Sequence, residues 1–250
     1  MAECKILIIM PAHNEAENLP YVFEELNHAF ERLRPTLPQI DVVVIDDYSS
    51  DETAAVAARL GATVVRLPCN LGYGGAVQTG FLYAQRYGYD AVVRVDADGQ
   101  HPPEAIEHLL RSLDEMHADV VIGSRFLEAG GFRSSWLRRV GISWLGFLIR
   151  ILTRQRITDC TSGFCAYRHG AVEFLAQHYP QDYPEPESVV LLVRNGFRLV
   201  EVPVVMRRRE AGRSSIRGLR TVYYMIKVTL AVLVAAMRSP VRSLADGHHT

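Results

Sequence analysis

The hexapeptide Asp96-Ala97-Asp98-Gly99-Gln100-His101 follows directly on the apolar run Ala91-Val92-Val93-Arg94-Val95. Two carboxylates one residue apart, at the C-terminal end of an expected buried strand, stand where open α/β sheets bind their ligands. With the Gln100 amide and the His101 imidazole they form a mainly oxygen donor set. Such a set suits Mg²⁺ or Mn²⁺, and through that ion the charge of a diphosphate leaving group. Taken alone, Asp-Ala-Asp-Gly is also the composition of a solvated turn, because Asp and Gly are common turn formers. A second acidic pair, Asp46-Asp47, closes another apolar run at 42–45. Acids at the ends of two separate runs favour one ligand cleft over scattered turns.

The elements that would position these acids alternate regularly. A strand at 6–10 ends at Pro11, and Leu19, Val22, Phe23, Leu26, Phe30 and Leu33 recur at helical spacing before Pro35. After the strand at 42–45, Ser50 and Asp51 are N-cap candidates for a helix at 52–60 that Gly61 terminates. A strand at 63–67 follows, and the glycine-rich stretch 70–75 reads as a tight turn before a helix to about Tyr87. With the strand at 91–95, this βαβ spacing makes a parallel α/β sheet the economical architecture. The second half adds a helix near 103–116, strands at 120–122, 163–167 and 199–205, and a helix at 186–195. Two apolar segments remain, 136–153 with Arg138, Arg139, Arg150 and Arg154 near its ends, and 221–237 containing Lys227. Each falls short of the roughly 20 apolar residues that span a bilayer. Basic flanks with Trp and Tyr suit helices lying in a membrane interface, with buried core helices as the alternative.

With 48% apolar and 22% charged residues in 250, the chain has the composition of a globular protein with a substantial core. Its net charge of −1 hides a polarity. Residues 1–120 carry 8 Lys and Arg against 19 Asp and Glu, whereas residues 121–250 carry 19 against 9. All but one of the basic residues in the second half are arginines, whose planar forks suit phosphate and anionic surfaces. No helix-turn-helix, RNP or zinc-finger pattern accompanies that charge, so nucleic acid is not the expected partner. Cys4, Cys69, Cys160 and Cys165 lack zinc-site spacing and read as reduced thiols of a cytosolic protein. The start, Met1-Ala2-Glu3-Cys4-Lys5, leads straight into a strand without a leader-like run.

Five motifs carry a resemblance: Pro11-Ala12-His13-Asn14-Glu15, Val44-Ile45-Asp46-Asp47-Tyr48-Ser49-Ser50-Asp51, Asn70-Leu71-Gly72, Val95 through His101, and Ile122-Gly123-Ser124-Arg125. In this order they resemble GT-A glycosyltransferases of family 2, and within it the polyprenyl-phosphate enzymes of the dolichyl-phosphate mannosyltransferase type. The likeness covers about residues 5–215. It implies a mixed, mostly parallel sheet flanked by helices, with a donor half over about 1–120, an acceptor half over about 121–215, and a membrane-associated amphipathic helix and tail at 216–250. It also implies that Pro11, Ala12, Asn14, Glu15, Asp46, Asp47, Asp96, Ala97 and Asp98 bind a nucleotide sugar, Asp46 taking the base N–H groups. Asp96, Asp98 and Gln100 would hold the Mg²⁺ or Mn²⁺. Arg125 and Arg139 resemble the family's phosphate-binding pair, and Ser143 lies on the same helical face as Arg139, four residues on. Arg209-Glu210-Ala211-Gly212-Arg213-Ser214-Ser215 resembles an acceptor segment R-x-x-G-x-S-K, with Ser215 in place of the usual Lys.

The expected activity is therefore metal-dependent, inverting transfer of a sugar onto a polyprenyl phosphate, with Asp98, Arg125 and Arg139 as the catalytic residues. A UDP-sugar is preferred over GDP-mannose as donor. A phosphate acceptor is already anionic and needs no base, whereas a sugar hydroxyl needs a carboxylate. Glu185 and Glu187 are the candidates for that base, and they keep open transfer to a sugar hydroxyl in cell-wall or polysaccharide assembly. Pro186 and Glu187 equally suit the first turn of a helix. A non-catalytic module binding nucleotide sugar or lipid phosphate is the alternative from another class. The expected location is the cytoplasmic face of a membrane, peripherally bound, with room for a small membrane-protein partner or self-association.

Overall fold

The computed structural model describes residues 4–33, 39–127, 136–207 and 219–241; for 136–139 and 219–224 it describes the helical backbone only. Chain order runs β1 (Lys5–Ala12), α1 (Leu19–Leu33), β2 (Gln39–Asp46), α2 (Thr53–Arg59), β3 (Thr63–Arg66), α3 (Gly72–Tyr87) and β4 (Ala91–Arg94). A short 3-10 turn, Pro103–Ala105, leads into α4 (Ile106–Glu115) and β5 (Val120–Ser124). Then come α5 (Trp136–Thr153), β6 (Cys165–Arg168), α6 (His169–His178), α7 (Pro184–Arg194), β7 (Leu199–Pro203) and α8 (Leu219–Met237).

Among the described residues the strands form one sheet in the order β3-β2-β1-β4-β6-β5-β7. β1, β2, β3 and β4 are mutually parallel, β7 is parallel to β5, and β6 runs antiparallel to both of its neighbours. The chain leaves β1 toward β2 and β3, then crosses to the other side of β1 to form β4. The gap between the C-terminal ends of β1 and β4 is therefore a topological switch point.

β1 is apolar on both faces because both are covered, as in parallel sheets generally. Leu7 and Ile9 join one core cluster with α3, α6 and α7, while Ile6, Ile8 and Met10 join the other with α1 and α4. The first cluster also takes one face of each long apolar helix, through Leu145 and Ile149 of α5 and Val228, Val232 and Ala235 of α8, and Ile142 of α5 is buried as well. Their other faces stay exposed, through Val140, Trp144, Phe147 and Ile151 on α5 and Ile226, Leu230, Val234 and Met237 on α8. Each of the two helices packs one face into the core and leaves the other exposed.

Three local expectations change. Residues 72–75 are not a turn but the first turn of α3. A Cβ on Gly74 would lie 2.6 Å from the Gln181 carbonyl oxygen, so the glycine lets the start of α3 press against the backbone there. β6 begins at Cys165, two residues later than expected. α6 has no counterpart in the sequence pattern: its buried positions Ala171, Val172, Leu175 and Ala176 are mostly small and make a weak apolar stripe.

If α5 belongs to the core, truncation should depend on the face. Ile149→Ala, at a fully buried position, should cost about 2–5 kcal/mol in denaturant unfolding. Ile151→Ala, at an exposed one, should stay within about 0.5 kcal/mol. Equal effects would contradict the packing.

Candidate active site

Register brings the motifs together. Ala12 pairs with Asp46 and Ile9 with Arg94, so β1, β2 and β4 end side by side. Main-chain bonds carry the alignment past the strands: Asp47 N–H donates to Ala12 O at 2.9 Å and Val95 N–H to Ile9 O at 3.0 Å. Beyond them Asn14 and Tyr48 adopt left-handed conformations, φ 56° and 59°. Asn14 ties the two loops together. Its N–H donates to Ser49 Oγ at 2.9 Å and its Oδ1 accepts from Ser50 N–H at 2.8 Å. Its side chain thus serves loop geometry, whereas Pro11, Ala12, His13, Glu15, Asp47, Tyr73, Ala76, Asp96, Ala97 and Asp98 line a cleft of about 180 Å³. Larger cavities lie beside α5 and between α6, α7 and α8. The acids, however, gather at the strand ends.

The four acids differ. Asp46, expected to meet the nucleotide base, is wholly buried. Its Oδ1 accepts from Ser49 N–H at 3.0 Å, and its Oδ2 stands 3.3 Å from Arg66 Nε without hydrogen-bond geometry. Asp47 lines the cleft in its place, with Oδ1 accepting from Leu71 N–H at 2.7 Å. Asp96 accepts from Tyr73 Oη at 2.8 Å. Asp98 Oδ1 accepts from Gln100 N–H at 3.1 Å, which folds the turn back on itself. His101 does not join a donor set for a metal: its ring is buried, stacked 5.0 Å from Phe164, and its Nδ1 accepts from Asp96 N–H at 2.9 Å. Burial lowers the His101 pKa, the nearby Asp96 opposing it.

Among the described residues no three His, Cys, Asp or Glu side chains stand close enough to hold a metal. The two partly exposed carboxylates on the cleft wall, Asp96 and Asp98, nonetheless suit an ion shared with a substrate diphosphate, since Mg²⁺-type sites complete themselves with water and phosphate oxygens; Gln100, the third expected ligand, is not among the cleft-lining residues. The residues fit such an ion.

Beneath the cleft lies Arg94, 1% exposed. Its Nε donates to Gly163 O, its Nη1 to Tyr179 Oη and its Nη2 to Ser162 O, and its guanidinium lies 5.7 Å from the Tyr73 ring centroid. Glu185 Oε1 is 3.5 Å from Arg94 Nη2. Burial raises the Glu185 pKa, with Arg94 pulling it back. Glu187 turns away from the cleft and accepts from Tyr183 N–H at 3.2 Å, capping its own helix. Although over a third of Tyr73 is exposed, its hydroxyl points inward, and burial there pushes its pKa up and keeps it a donor.

Beside α5 lies a groove of about 320 Å³, which includes Phe126, Ser143, Phe147, Arg150, Arg156 and Thr158. Arg125, expected to grip a phosphate, holds Asp159 with one edge of its fork. Nε and Nη2 donate to the two carboxylate oxygens at 2.7 Å each, and Nη2 also donates to Thr161 Oγ1 at 2.8 Å. Asp159 is fully buried and must be paired, which decides the fork's partner. Arg139 sits in the first turn of α5, four residues before Ser143, but its side chain lies outside the described residues. Arg209, Gly212, Arg213, Ser214 and Ser215 lie outside them as well. The segment after β7 that leads there is anchored: Arg207 N–H donates to Gln100 O at 3.0 Å, and its Nη2 donates to both oxygens of Glu104 at 2.9 Å.

The sequence model described as Glycosyl transferase family 2 matches residues 7–175, spanning all the cleft-lining residues. The chain belongs to glycosyltransferase family 2. This glycosyltransferase is 34% identical to a polyprenol monophosphomannose synthase of Mycolicibacterium smegmatis over 234 residues, 90% of this chain and 85% of that protein. It is 35% identical to an undecaprenyl-phosphate mannosyltransferase of Micrococcus luteus over 223 residues, 86% of this chain and 88% of the other. Among solved structures, glucosyl-3-phosphoglycerate synthase from Mycobacterium tuberculosis, in complex with Mn²⁺, UDP and glucosyl-3-phosphoglycerate, matches with a TM-score of 0.67 at 21% identity. That match covers 96% of this chain and 82% of the other, and it establishes the GT-A fold expected from the motifs.

Sequence reasoning missed Tyr73, Arg94, Asp159 and Gly163. Arg94 inside an apolar strand was a visible signal, since a charge at such a position must be paired in the core. Asp159 offered none, because its partner is 34 residues away. Asp159→Ala should cost the family 2 enzyme about 3–5 kcal/mol in denaturant unfolding, since it strands the Arg125 charge. A loss below about 1 kcal/mol would show the pair to be well solvated.

Proposed function

We propose that this glycosyltransferase moves a mannosyl group from a nucleotide sugar to the phosphate of a polyprenyl phosphate, with inversion, at the cytoplasmic surface of a membrane. The observation that carries the acceptor assignment is the fate of the two candidate bases. Glu187 is spent on its helix and Glu185 faces Arg94. An acceptor that is already ionised needs neither. Both relatives are named for mannose and a polyprenyl-type acceptor, which supports a mannosyl group in place of glucose or N-acetylglucosamine. With that sugar, GDP-mannose replaces a UDP-sugar as the donor in this reading.

In this reading Pro11, Ala12, Glu15 and Asp47 receive the nucleoside and diphosphate at the ends of β1 and β2. Asp96, Asp98 and Gln100 would hold Mg²⁺ or Mn²⁺, which when bound supplies charge neutralisation for the diphosphate. Arg139 and Ser143, one helical turn apart on α5, take the acceptor phosphate. The groove beside them, edged by Arg150 and Arg156, takes the first part of its lipid, and the Arg125–Asp159 pair fixes the groove floor. A phosphate oxygen forms the new bond to the anomeric carbon from the face opposite the donor diphosphate. The old bond leaves its electron pair on that diphosphate, and no proton has to move.

No described helix is long and apolar enough to cross a membrane. The exposed residues Val140, Trp144, Phe147 and Ile151 nevertheless recur on one face of α5. Trp144 Nε1 donates to Thr229 Oγ1 at 3.2 Å, which joins that face to the exposed face of α8. An apolar ridge of this extent with arginines at its end fits a lipid interface. Four free cysteines accord with the cytoplasmic side. Replacing Phe147 and Ile151 by Ser should weaken binding to anionic phospholipid vesicles about tenfold or more and leave the unfolding midpoint nearly unchanged. Unaltered vesicle binding would refute the interfacial role.

The transfer itself is tested with Mn²⁺, a short polyprenyl phosphate, and labelled GDP-mannose, UDP-glucose and UDP-N-acetylglucosamine in separate reactions. Label should enter the organic phase from GDP-mannose; no organic label from any donor refutes the proposal. A raised Glu185 pKa would suit the base of a hydroxyl acceptor, so Glu185→Gln decides between acceptors. With a phosphate acceptor kcat should stay within about threefold and the acid limb of the pH profile should not move. A fall of about 10²-fold or more would identify a base, because a carboxylate base loses activity as falling pH protonates it.

A further inference from the structure

Asp96 is held from three sides. Tyr73 Oη donates to Asp96 Oδ1 at 2.8 Å. The Asp96 main-chain N–H donates to His101 Nδ1 at 2.9 Å, which leaves the ring proton on Nε2, and that nitrogen faces Asp96 Oδ2 at 3.6 Å. This second approach is too long for a hydrogen bond and acts electrostatically. The third side is Gly163. A Cβ there would lie 3.1 Å from Tyr73 Oη, 3.2 Å from Asp96 Oδ2 and 3.3 Å from His101 Cε1. A side chain at 163 would therefore press on all three groups at once. Arg94 supports the arrangement from below: its Nε donates to the Gly163 carbonyl, and its guanidinium underlies the Tyr73 ring at 5.7 Å. Asp98 accepts from the Gln100 N–H of its own turn.

We infer that Tyr73, His101 and Gly163 form a clamp that fixes the Asp96 carboxylate in the orientation it needs toward a divalent ion and a nucleoside diphosphate. The inference rests on the donor-site reading of the cleft. None of the three residues needs to touch the donor. They are positioning residues, and Tyr73 reaches Asp96 across 23 residues from the first turn of α3. That contact also accounts for the glycine-rich start of α3, because Gly74 seats the helix against Gln181 and so sets where the Tyr73 hydroxyl ends. A methyl group at 163 would fit only if these groups gave way by a few tenths of an ångström.

The test separates the clamp from the donor-site reading. Mn²⁺ binding is titrated by electron paramagnetic resonance, with GDP and with UDP, on the full chain, on Tyr73→Phe and on Gly163→Ala, and a crystal structure of Tyr73→Phe is determined. Tyr73→Phe removes one oxygen atom and should leave the unfolding midpoint close to that of the parent. It should weaken Mn²⁺ binding in the presence of nucleotide by about tenfold or more, with the Asp96 carboxylate rotated in the crystal. Gly163→Ala should show the same loss of affinity with the Tyr73 hydroxyl intact. Parent-like affinity in both variants, or an unmoved Asp96 in Tyr73→Phe, would overturn the clamp. If the parent chain binds no Mn²⁺ with either nucleotide while Asp96 still rotates in Tyr73→Phe, the donor-site reading falls and the clamp geometry stands.

Discussion

β1 is hydrogen-bonded on both edges to parallel strands, β2 and β4, and this pairing decides where three distant stretches of sequence end. In a parallel sheet every strand delivers its C-terminus to the same edge, so acids that follow apolar runs collect without needing to be near one another in sequence. The register is specified by burial. Ile6, Ile8 and Met10 must face one core and Leu7 and Ile9 the other, and a slip of one residue would exchange them. The apolar character of β1 thus controls the placement of Asp47, Asp96 and Asp98 as firmly as the acids' own positions in the chain do.

Charge is placed inside this frame at specific points, each with its compensation. Arg94 would be expensive in a buried strand, but two carbonyls, a tyrosine hydroxyl and Glu185 surround it. Arg125 and Asp159 satisfy one another and are joined to Thr161. Pairs of this kind contribute little net stability compared with well-packed apolar residues. Their consequence is geometric. Arg94 fixes Gly163 and the Tyr73 ring below the strand-end cleft, and the Arg125–Asp159 pair fixes the corner between β5 and the groove beside α5.

Much of this was legible in the sequence, because strand-end acids and apolar runs are local signals. The strands at 6–10, 42–45 and 120–122 fall within observed strands, the run at 91–95 overruns β4 by one residue, and the five ordered motifs led to the family. What escaped was set by tertiary contact. The start of α3 looks like a loop in sequence because glycine is a poor helix former, yet those glycines allow close approach to Gln181. α6 was invisible because alanines give it a faint apolar stripe. Asp46 and Asp47 could not be told apart by spacing; only the sheet shows that the first is buried and the second lines the cleft. Arg125 has the sequence neighbours of a phosphate ligand, while Asp159, which takes one edge of its fork, lies on another segment.

The central claim is that the ends of β1, β2 and β4 form one donor site in which a divalent ion and a diphosphate meet at Asp96 and Asp98. Anomalous diffraction from crystals grown with Mn²⁺ and GDP tests it most directly. The account predicts a manganese peak bounded by Asp96, Asp98 and Gln100, with the diphosphate beside it along Pro11 to Glu15. A manganese peak elsewhere, or a diphosphate seated in the groove beside α5 with the strand-end cleft empty, would contradict it.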